Sequence, residues 1–338
     1  MKKVMTVLGP VEADKLGHIL PHEHILMEFP EPESKPLYPE LRDRSVTMDL
    51  LGKLRRDIWS CRDNYRLDEQ ETAVQEIQCF REKGGGTLVD VTPIGLGRNV
   101  SALREISQRA GVHIVATTGY YVHRSYLAQM EKYTLDNLAE FMTREIETGI
   151  EDTGIKAGII GVIGIRNAMH PNEEKVLRAS ARVHKRTDVP IYIHQYGGAE
   201  LEKIHSVLVQ EEVSPEKVIL CHMCSVSENQ RLWAANHGYY LGIDSFGKEY
   251  YTDALSGYIT RDPDKIQMVK YLIEKGHLRQ ILISQDVTLK ILLKKYGGWG
   301  YEHILVNIKP FMLRQGIPIK SVDSMLYYNP MRALAYLE

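Results

Sequence analysis

The chain of 338 residues lacks several features that would assign it to a specialised class of protein. It has only four cysteines, too few for a small disulfide-stabilised scaffold. Its 42 Lys and Arg residues nearly balance 44 Asp and Glu residues, which excludes the strongly basic surface typical of proteins that bind nucleic acid or anionic membranes. No run reaches the roughly 18 uncharged apolar residues of a membrane-spanning helix. The sequence therefore predicts an ordinary globular protein without nucleic-acid or membrane partners.

The N-terminal residues do not resemble a targeting leader. The apolar run after Lys2 and Lys3 is only a few residues long and ends at Gly9-Pro10, whereas a signal peptide needs roughly 7–15 apolar residues. We therefore expect a cytoplasmic protein.

Cys221 and Cys224 have CxxC spacing, which occurs in redox and zinc motifs. No second pair of ligands with matching spacing accompanies them, which disfavours a structural zinc site or a redox disulfide.

Eight short runs rich in Val, Ile and Thr alternate with amphipathic helical patterns along nearly the whole chain. Such runs are typical of parallel strands that are buried on both faces. The predicted strands are 19–26, 86–92, 112–121, 157–165, 189–196, 217–222, 239–244 and 280–286. This alternation predicts a (β/α)8 TIM barrel that occupies residues 1–338 as a single domain. An open doubly wound sheet is the alternative, but no GxGxxG turn follows the first run.

Two long segments interrupt the alternation, residues 28–49 after the first strand and 244–264 after the seventh. Both leave the C-terminal ends of strands, where barrel enzymes place their catalytic residues. We expect them to border a functional site, although loops without a functional role are the alternative.

Metal-binding side chains recur at the predicted C-terminal ends of strands. His22 and His24 are two residues apart on the first strand, so both point to the same side of it. His194, His222 and Asp286 close the fifth, sixth and eighth strands. Each residue taken alone is more often structural, but five of them at one mouth of a barrel indicate a metal site.

Four imidazoles and one carboxylate suit Zn²⁺, with Co²⁺, Mn²⁺ and Fe²⁺ as alternatives. Such a metal lowers the pKa of a bound water to about 7 and so provides a hydroxide nucleophile. We expect Asp286 both to ligate the metal and, as the catalytic base, to accept the proton of that water. The site therefore predicts a metal-dependent hydrolase.

These residues and several longer segments resemble the phosphotriesterase family of the amidohydrolase superfamily. The shared motifs are HEH on the first strand, GGGTLVDVTPIGLGRN, TTGYY, KAGIIG, the histidines that close strands five and six, and the SQD that closes strand eight. IDSFGKEYY and GGWGYEHIL extend the resemblance to nearly the whole chain, and the phosphotriesterase homology proteins are the subgroup that it resembles most.

The resemblance implies a (β/α)8 barrel with two divalent metals bridged by hydroxide. It implies activity on phosphotriesters, lactones and other carboxylic or phosphoric esters. It also implies that His22, His24 and Asp286 hold the buried metal, and that His194 and His222 hold the more exposed one.

The chain departs from the family at the end of the fourth strand. There the family has a carboxylated lysine or a glutamate that bridges the metals, and the corresponding residues here are Gly161 and Val162. Lys156 lies near the opposite end of the strand, where it cannot reach the site. Two cations without an anionic bridge repel each other, which weakens the binding of at least one. The number of metals therefore stays open between one and two.

Three residues near the predicted entrance are candidates for contact with the substrate. Lys248 after strand seven is the strongest candidate to meet an anionic group, and Arg98 after strand two is a weaker one. Tyr121 at the end of strand three is the candidate to polarise a carbonyl or phosphoryl oxygen, and Tyr120 is expected to pack. The alternation of side chains along a strand lets only one of these tyrosines face the mouth.

The leading hypothesis is a hydrolase that activates water on one or two metals and acts on a lactone, a carboxylic ester or a phosphoester. One alternative is a non-catalytic or altered relative that binds one metal or a small molecule. Another is a different metal-assisted reaction, such as a lyase step at a mononuclear site. The expected partner is a small-molecule substrate, and a homodimer is left open.

Overall fold

The computed structural model describes residues 2–126, 130, 132–252 and 257–337. All eight predicted strands are present, and we number them β1 to β8. Their bounds are β1 His18–Glu23, β2 Gly85–Asp90, β3 His113–Val115 with Thr117–Thr118, β4 Ile159–Ile165, β5 Ile191–Gln195, β6 Val218–Cys221, β7 Tyr240–Ile243 and β8 Ile281–Ile283. Most end a residue or more before the predicted run does, so the residues predicted to carry the chemistry lie at or just beyond the regular strands.

The strands pair in parallel in the order of the chain, from β1 through to β8. Between β8 and β1, the backbone amide of Asp286 donates a hydrogen bond to the His22 carbonyl at 3.1 Å. The amide of His22 in turn donates to the Ser284 hydroxyl at 3.0 Å. These bonds close the sheet, and the predicted (β/α)8 barrel is confirmed.

Amphipathic helices connect the strands and pack their apolar faces against the barrel. They are α1 Gln70–Glu82, α2 Val100–Ala110, α3 Leu135–Glu147, α4 Pro171–Thr187, α5 Leu201–Gln210, α6 Glu228–Asn236 and α7 Asp262–Glu274. Helix starts follow local chemistry, since Thr134 before α3 and Ser227 before α6 each accept a hydrogen bond from a backbone amide of the first turn. None of the helices in the described ranges is long and apolar enough to cross a membrane.

Shorter elements complete the fold. The helix Leu51–Leu54 lies in the segment after β1, and Lys309–Arg314, Ile319–Asp323 and Asn329–Leu334 follow β8. An antiparallel hairpin, Lys3–Thr6 with Gly9–Glu12, packs near the start of β3, where the Val7 amide donates to the Ile114 carbonyl at 2.8 Å. The hairpin therefore lies at the end of the barrel opposite to the C-terminal ends of the strands.

Each of the two long segments contains a short antiparallel strand. In the first, Met27–Glu28 pairs with Arg66–Leu67. In the second, Tyr251–Thr252 pairs with Gly257–Tyr258, and residues 253–256 lie outside the described residues. The Tyr251 amide donates to the Arg55 carbonyl at 3.0 Å, which joins the second segment to the residues that follow the first.

Candidate metal centre

The five predicted ligands come together at the C-terminal end of the barrel. The Nε2 atoms of His22 and His24 lie 3.5 and 3.4 Å from Asp286 Oδ1. His222 Nδ1 lies 4.0 Å from Asp286 Oδ2, and His222 Nε2 lies 2.8 Å from His194 Nδ1. Four of these side chains are buried and His194 is half-buried, so the cluster extends from the barrel interior to its rim.

The donor set fits a divalent cation. Both ring nitrogens of His22 are buried and make no hydrogen bond within the described part of the chain. Nitrogen and oxygen atoms of His22, His222 and Asp286 lie within 4.8 Å of one another. Buried polar atoms without partners are rare in folded proteins, and a bound ion is one of the few explanations for them.

Burial sets the protonation states within the cluster. It lowers the pKa of His22 to about 4 and places the pKa of His194 well below its ordinary value. Burial by itself would raise the pKa of Asp286, but the charge of Lys248 and the hydrogen bond with His24 hold it well below its ordinary value. Neutral imidazoles and an ionised carboxylate are the forms that bind metals.

The backbone that carries Asp286 is held by a buried carboxylate. Asp286 has a φ of 53°, in the left-handed region, which costs a residue with a Cβ about 1–3 kcal/mol. Glu23 accepts hydrogen bonds from the backbone amides of Gln285 and Val287, at 2.8 and 3.0 Å, and from the Ser284 hydroxyl at 2.7 Å. Glu23 thus fixes the turn from which Asp286 projects.

A second carboxylate orients His222. Asp244, just beyond β7, accepts from the His222 amide at 3.0 Å and lies 2.7 Å from its Nδ1. Burial would lower the pKa of His222, but Asp244 raises it above its ordinary value. With Nδ1 directed to Asp244, Nε2 is the nitrogen that faces His194 and the cluster.

The orientation of His24 is fixed from β2. His24 Nδ1 lies 2.8 Å from the Thr92 hydroxyl, and the Thr92 amide donates to Asp90 Oδ1 at 3.0 Å. The Ile25 amide donates to the other oxygen of Asp90 at 2.8 Å. The first two strands therefore hold this imidazole through a buried network, which leaves Nε2 directed toward Asp286.

Lys248 reaches the centre from the segment after β7. Its ammonium group pairs with Asp286 Oδ2, and the side chain is buried. Burial would lower the pKa of Lys248, but Asp286 and Tyr250 raise it above its ordinary value. The predicted contact between Lys248 and an anionic substrate stays a prediction, since in this structure its partner is a candidate ligand.

The structure distinguishes the two tyrosines at the end of β3. The hydroxyl of Tyr121 lies 3.3 Å from His194 Nε2 and 2.8 Å from the Tyr196 hydroxyl. Burial raises the pKa of Tyr121 well above its ordinary value, so the group is a neutral hydroxyl. Tyr120 packs against Tyr126 and Phe141. Tyr121 therefore borders the cluster, whereas Tyr120 belongs to the packing behind it.

Arg98 lies elsewhere, and its predicted substrate role needs correction. Two of its nitrogens donate to the two oxygens of Glu145 on α3, both at 2.7 Å, and one also donates to the Thr117 carbonyl at 3.0 Å. The Thr118 hydroxyl completes the network by donating to Glu145 at 2.6 Å. This buried pair joins α3 to β3, so Arg98 is a structural residue in this fold.

The end of β4 carries no metal ligand, as the sequence indicated. Gly161 has a φ of 124°, and a Cβ at this position would lie 2.3 Å from the Tyr192 carbonyl oxygen. The backbone therefore has no room for the lysine that one subgroup of the family has there. Val162 is a buried apolar residue. An anionic bridge from β4 itself would therefore require a substitution at Val162, and the alternative is a carboxylate from elsewhere in the chain or from the substrate.

The CxxC cysteines form neither a disulfide nor a shared site. Cys221 and Cys224 are both free and buried, and burial raises the pKa of each thiol. The Cys224 thiol donates to the backbone carbonyl of Asp244 at 3.3 Å. Cys221, by contrast, lies within 4.8 Å of donor atoms of His22 and Asp244. The two cysteines therefore have different surroundings despite their spacing.

Sequence reasoning missed three carboxylates that support the cluster, namely Glu23, Asp90 and Asp244. Asp90 ends β2 and Asp244 directly follows β7, as the predicted ligands do on other strands. This position is the signal by which the sequence could have identified them. Glu23 stands between the two histidines of the HEH motif. All three accept hydrogen bonds from backbone amides of candidate ligands or of their neighbours, a role that a one-dimensional pattern does not distinguish from ligation.

Comparisons with known proteins agree with this geometry. Residues 2–334 match the model of the phosphotriesterase family. N-acetyltaurine hydrolase from Danio rerio is 34% identical over 346 residues, which cover 99% of this chain and 98% of that protein. A resiniferatoxin-binding protein from Rhodobacter sphaeroides superposes with a TM-score of 0.94 at 29% identity, covering 99% of this chain and 95% of that one. A lactonase from Listeria monocytogenes superposes with a TM-score of 0.81 at 27% identity, covering 99% and 100% of the two chains.

The family model and the relative each span nearly the whole chain, and the barrel with its five clustered candidate ligands is the fold that the resemblance implied. The chain therefore belongs to the phosphotriesterase family and is a hydrolase.

Proposed function

We propose that the chain is a metal-dependent hydrolase of carboxylic acyl bonds, with an amide or a lactone as its substrate. The observation that carries the proposal is the buried cluster in which both ring nitrogens of His22 lack a hydrogen bond among the described residues and lie 3.4–3.5 Å from carboxylate oxygens of Asp244 and Asp286. The names of the relatives support the bond class, since N-acetyltaurine hydrolase and a lactonase both cleave a bond between a carbonyl carbon and a heteroatom. A phosphoester substrate is the less favoured alternative.

The residues that would hold the metal are His22, His24, His194, His222 and Asp286, with Zn²⁺ as the first candidate. When bound, the metal supplies a Lewis acid and lowers the pKa of a water molecule. Asp286 would serve as the proton acceptor for water, and the position of its carboxylate within the imidazole cluster supports this role. Lys248 stabilises the ionised form of Asp286 by pairing with Oδ2.

Tyr121 is the candidate to bind the acyl oxygen of the substrate. Its hydroxyl borders His194 at the rim of the cluster, at 3.3 Å from Nε2. A neutral hydroxyl can donate a hydrogen bond to a carbonyl oxygen as negative charge develops on it. Lys248 is the second donor in reach of the centre, through its contact with Asp286.

We further propose that one metal binds firmly and a second weakly or not at all. The buried Val162 offers no anionic bridge, and Gly161 has no room for a side chain. The ammonium group of Lys248 already neutralises one oxygen of Asp286. A second dication near this group meets less compensating negative charge than it does in relatives with a bridging acid.

Elemental analysis of the purified protein, together with assays on N-acetyltaurine, a simple lactone and a phosphotriester, tests the proposal. We expect about one metal per chain and turnover of the amide or the lactone that chelation removes and added metal restores. Turnover that survives complete metal removal would contradict the proposed mechanism.

A second candidate function is that of an altered family member that mainly binds one metal or a small molecule and turns it over only poorly, which Val162 favours because it stands where the family has its bridging ligand. The likeness to a protein named for resiniferatoxin binding is consistent with it. One metal per chain, with hydrolysis appearing only after Val162→Glu restores an acid, would favour this second candidate over an intact hydrolase.

A further inference from the structure

Two arginines that no motif singled out lie at the same end of the barrel as the metal centre. Arg124 follows β3 by a few residues, and Arg166 comes directly after β4. Strands β3 and β4 are parallel neighbours, paired at Thr117 and Ile159. Both arginines therefore leave the C-terminal face, where barrel enzymes bind their substrates.

A buried carboxylate fixes the two loops relative to each other. Glu173 on α4 is completely buried, and its Oε1 accepts from the His123 amide, next to Arg124, at 3.1 Å. Its Oε2 accepts from the Arg166 amide at 3.1 Å and from the His170 amide at 3.2 Å. Glu173 therefore holds the loops that carry Arg124 and Arg166 through their backbone amides. The guanidinium groups of both arginines stay available to other partners.

The register of the sheet places Arg166 beside the tyrosine pair of the site. Ile165 of β4 pairs with Gln195 of β5, so Arg166 and Tyr196 are the next residues along the two strands. The hydroxyl of Tyr196 lies 2.8 Å from that of Tyr121, which in turn lies 3.3 Å from His194 Nε2. The sheet register therefore places Arg166 next to a tyrosine pair that borders the metal centre.

Both guanidinium groups face one exposed carboxylate. Glu33, on the long segment after β1, lies 3.5 Å from Arg124 and 3.6 Å from Arg166. The three side chains are 31–64% exposed. Ion pairs between exposed side chains are weak, so an anion that enters the site can displace Glu33 without leaving a buried charge behind.

We propose that Arg124 and Arg166 form an anion subsite that binds a carboxylate or sulfonate group carried on the amine side of an N-acyl substrate, with Glu33 as its displaceable occupant. Arginine forks match the geometry of such oxyanions. The inference rests on the proposed function and names the substrate class: a short N-acyl amide whose leaving amine ends in an acidic group.

The kinetic test compares three amides of similar length, N-acetyltaurine, N-acetyl-β-alanine and uncharged N-acetylethanolamine. Arg124→Gln and Arg166→Gln are each expected to raise KM for the charged amides about tenfold, with kcat and the uncharged amide unchanged. Glu33→Gln is expected to lower KM for the charged amides. The better of the two charged substrates identifies sulfonate or carboxylate as the preferred anion.

Arg182→Gln is the matched control, since Arg182 is an exposed arginine on α4 that pairs with Asp136 at 2.8 Å. It is expected to leave all three substrates unaffected. Equal losses for charged and uncharged amides in the Arg124 and Arg166 variants, or the same change in the Arg182 variant, would overturn the subsite.

A binding measurement separates the failure of the subsite from the failure of the proposed function. The probes are the ketone analogues of N-acetyltaurine and N-acetyl-β-alanine, in which a methylene group replaces the amide nitrogen, titrated calorimetrically into the metal-loaded protein. Binding that weakens about 100-fold in the double arginine variant supports the subsite even if no amide is hydrolysed. Absence of binding, or binding that the double variant leaves intact, overturns the subsite even if hydrolysis is demonstrated.

Discussion

Two buried ion pairs lie close to the C-terminal face of the barrel, and they differ in what surrounds them. In the pair of Arg98 and Glu145, both carboxylate oxygens accept from the guanidinium group, and neighbouring threonines complete the network. In the pair of Lys248 and Asp286, the second carboxylate oxygen faces imidazoles, including that of His22, whose ring nitrogens make no hydrogen bond in the part of the chain that the structure describes. The first network is complete and the second is not. Burial of charge is common to both, so the incomplete set of partners is what marks the functional site.

The strongest test of this contrast removes an unpartnered ligand. His22→Ala is expected to abolish hydrolysis and to lower the melting temperature of the metal-loaded protein, because a metal that binds only the folded state stabilises it by about 4 kcal/mol at 1,000 times its Kd. An activity assay and thermal unfolding measure these two effects, and elemental analysis determines whether the variant still binds metal. His237→Ala, at an exposed histidine, is the control. A variant that keeps its metal and full turnover would show that His22 is no ligand.

Asp286→Asn tests the carboxylate of the incomplete pair. We expect the barrel to fold and kcat to fall about 10²–10⁴-fold, because a proton acceptor and a ligand charge are lost. Circular dichroism checks the fold, and kcat is measured on the best substrate found. An unchanged kcat would remove Asp286 from the mechanism.

A substitution in the complete pair of Arg98 and Glu145 is expected to lower stability and to leave substrate binding unchanged. Arg98→Met leaves Glu145 buried and uncompensated, which should lower the free energy of unfolding by about 3–5 kcal/mol while KM for the substrate stays unchanged. The double variant Arg98→Met with Glu145→Met should recover much of this stability, since no buried charge remains. Denaturant unfolding and steady-state kinetics measure both quantities. A rise in KM without loss of stability would restore the substrate role predicted for Arg98.

A substitution at Val162 on β4 is expected to change the number of metals that the incomplete site binds. Val162→Glu should raise the metal content from about one toward two per chain, because a carboxylate between two cations offsets their repulsion. Val162→Gln has a similar shape without the charge and should leave the metal content unchanged. Two firmly held metals in the unaltered protein would show that another group already forms the bridge.

The smallest expected effect concerns a buried histidine outside both pairs. Burial lowers the pKa of His184, whose Nδ1 lies 2.8 Å from the Val189 carbonyl oxygen. The unfolded chain therefore binds a proton here at a pH at which the folded chain does not, and stability falls as the pH drops below about 6.5. His184→Asn keeps a donor for the carbonyl and should reduce this loss of stability at mildly acidic pH. Urea unfolding between neutral and mildly acidic pH measures the change, and an unaltered slope would contradict it.

The sequence alone was sufficient to predict the barrel and the five residues that form the cluster. Buried parallel strands have a local signature, because a β-rich apolar run between amphipathic helices needs no knowledge of its partners. The C-terminal ends of all barrel strands share one face, so His194, His222 and Asp286 could be grouped from their positions alone. The departure at Val162 was also found without geometry, but only because the resemblance to the family implied an acidic or carboxylated residue there.

Only the tertiary structure decided which partner each remaining side chain takes. Arg98 has the residue type of a substrate contact, but its partner Glu145 lies 47 residues away on a helix whose packing no local pattern specifies. Tyr120 and Tyr121 are adjacent in sequence, and the closure of the sheet determines that Tyr121 borders the cluster. Arg124 and Arg166 became a pair only when Glu173 and the sheet register brought their loops together. Strand periodicity is a local property, whereas the partner of a charged group depends on contacts between distant segments, and these form only when the barrel closes.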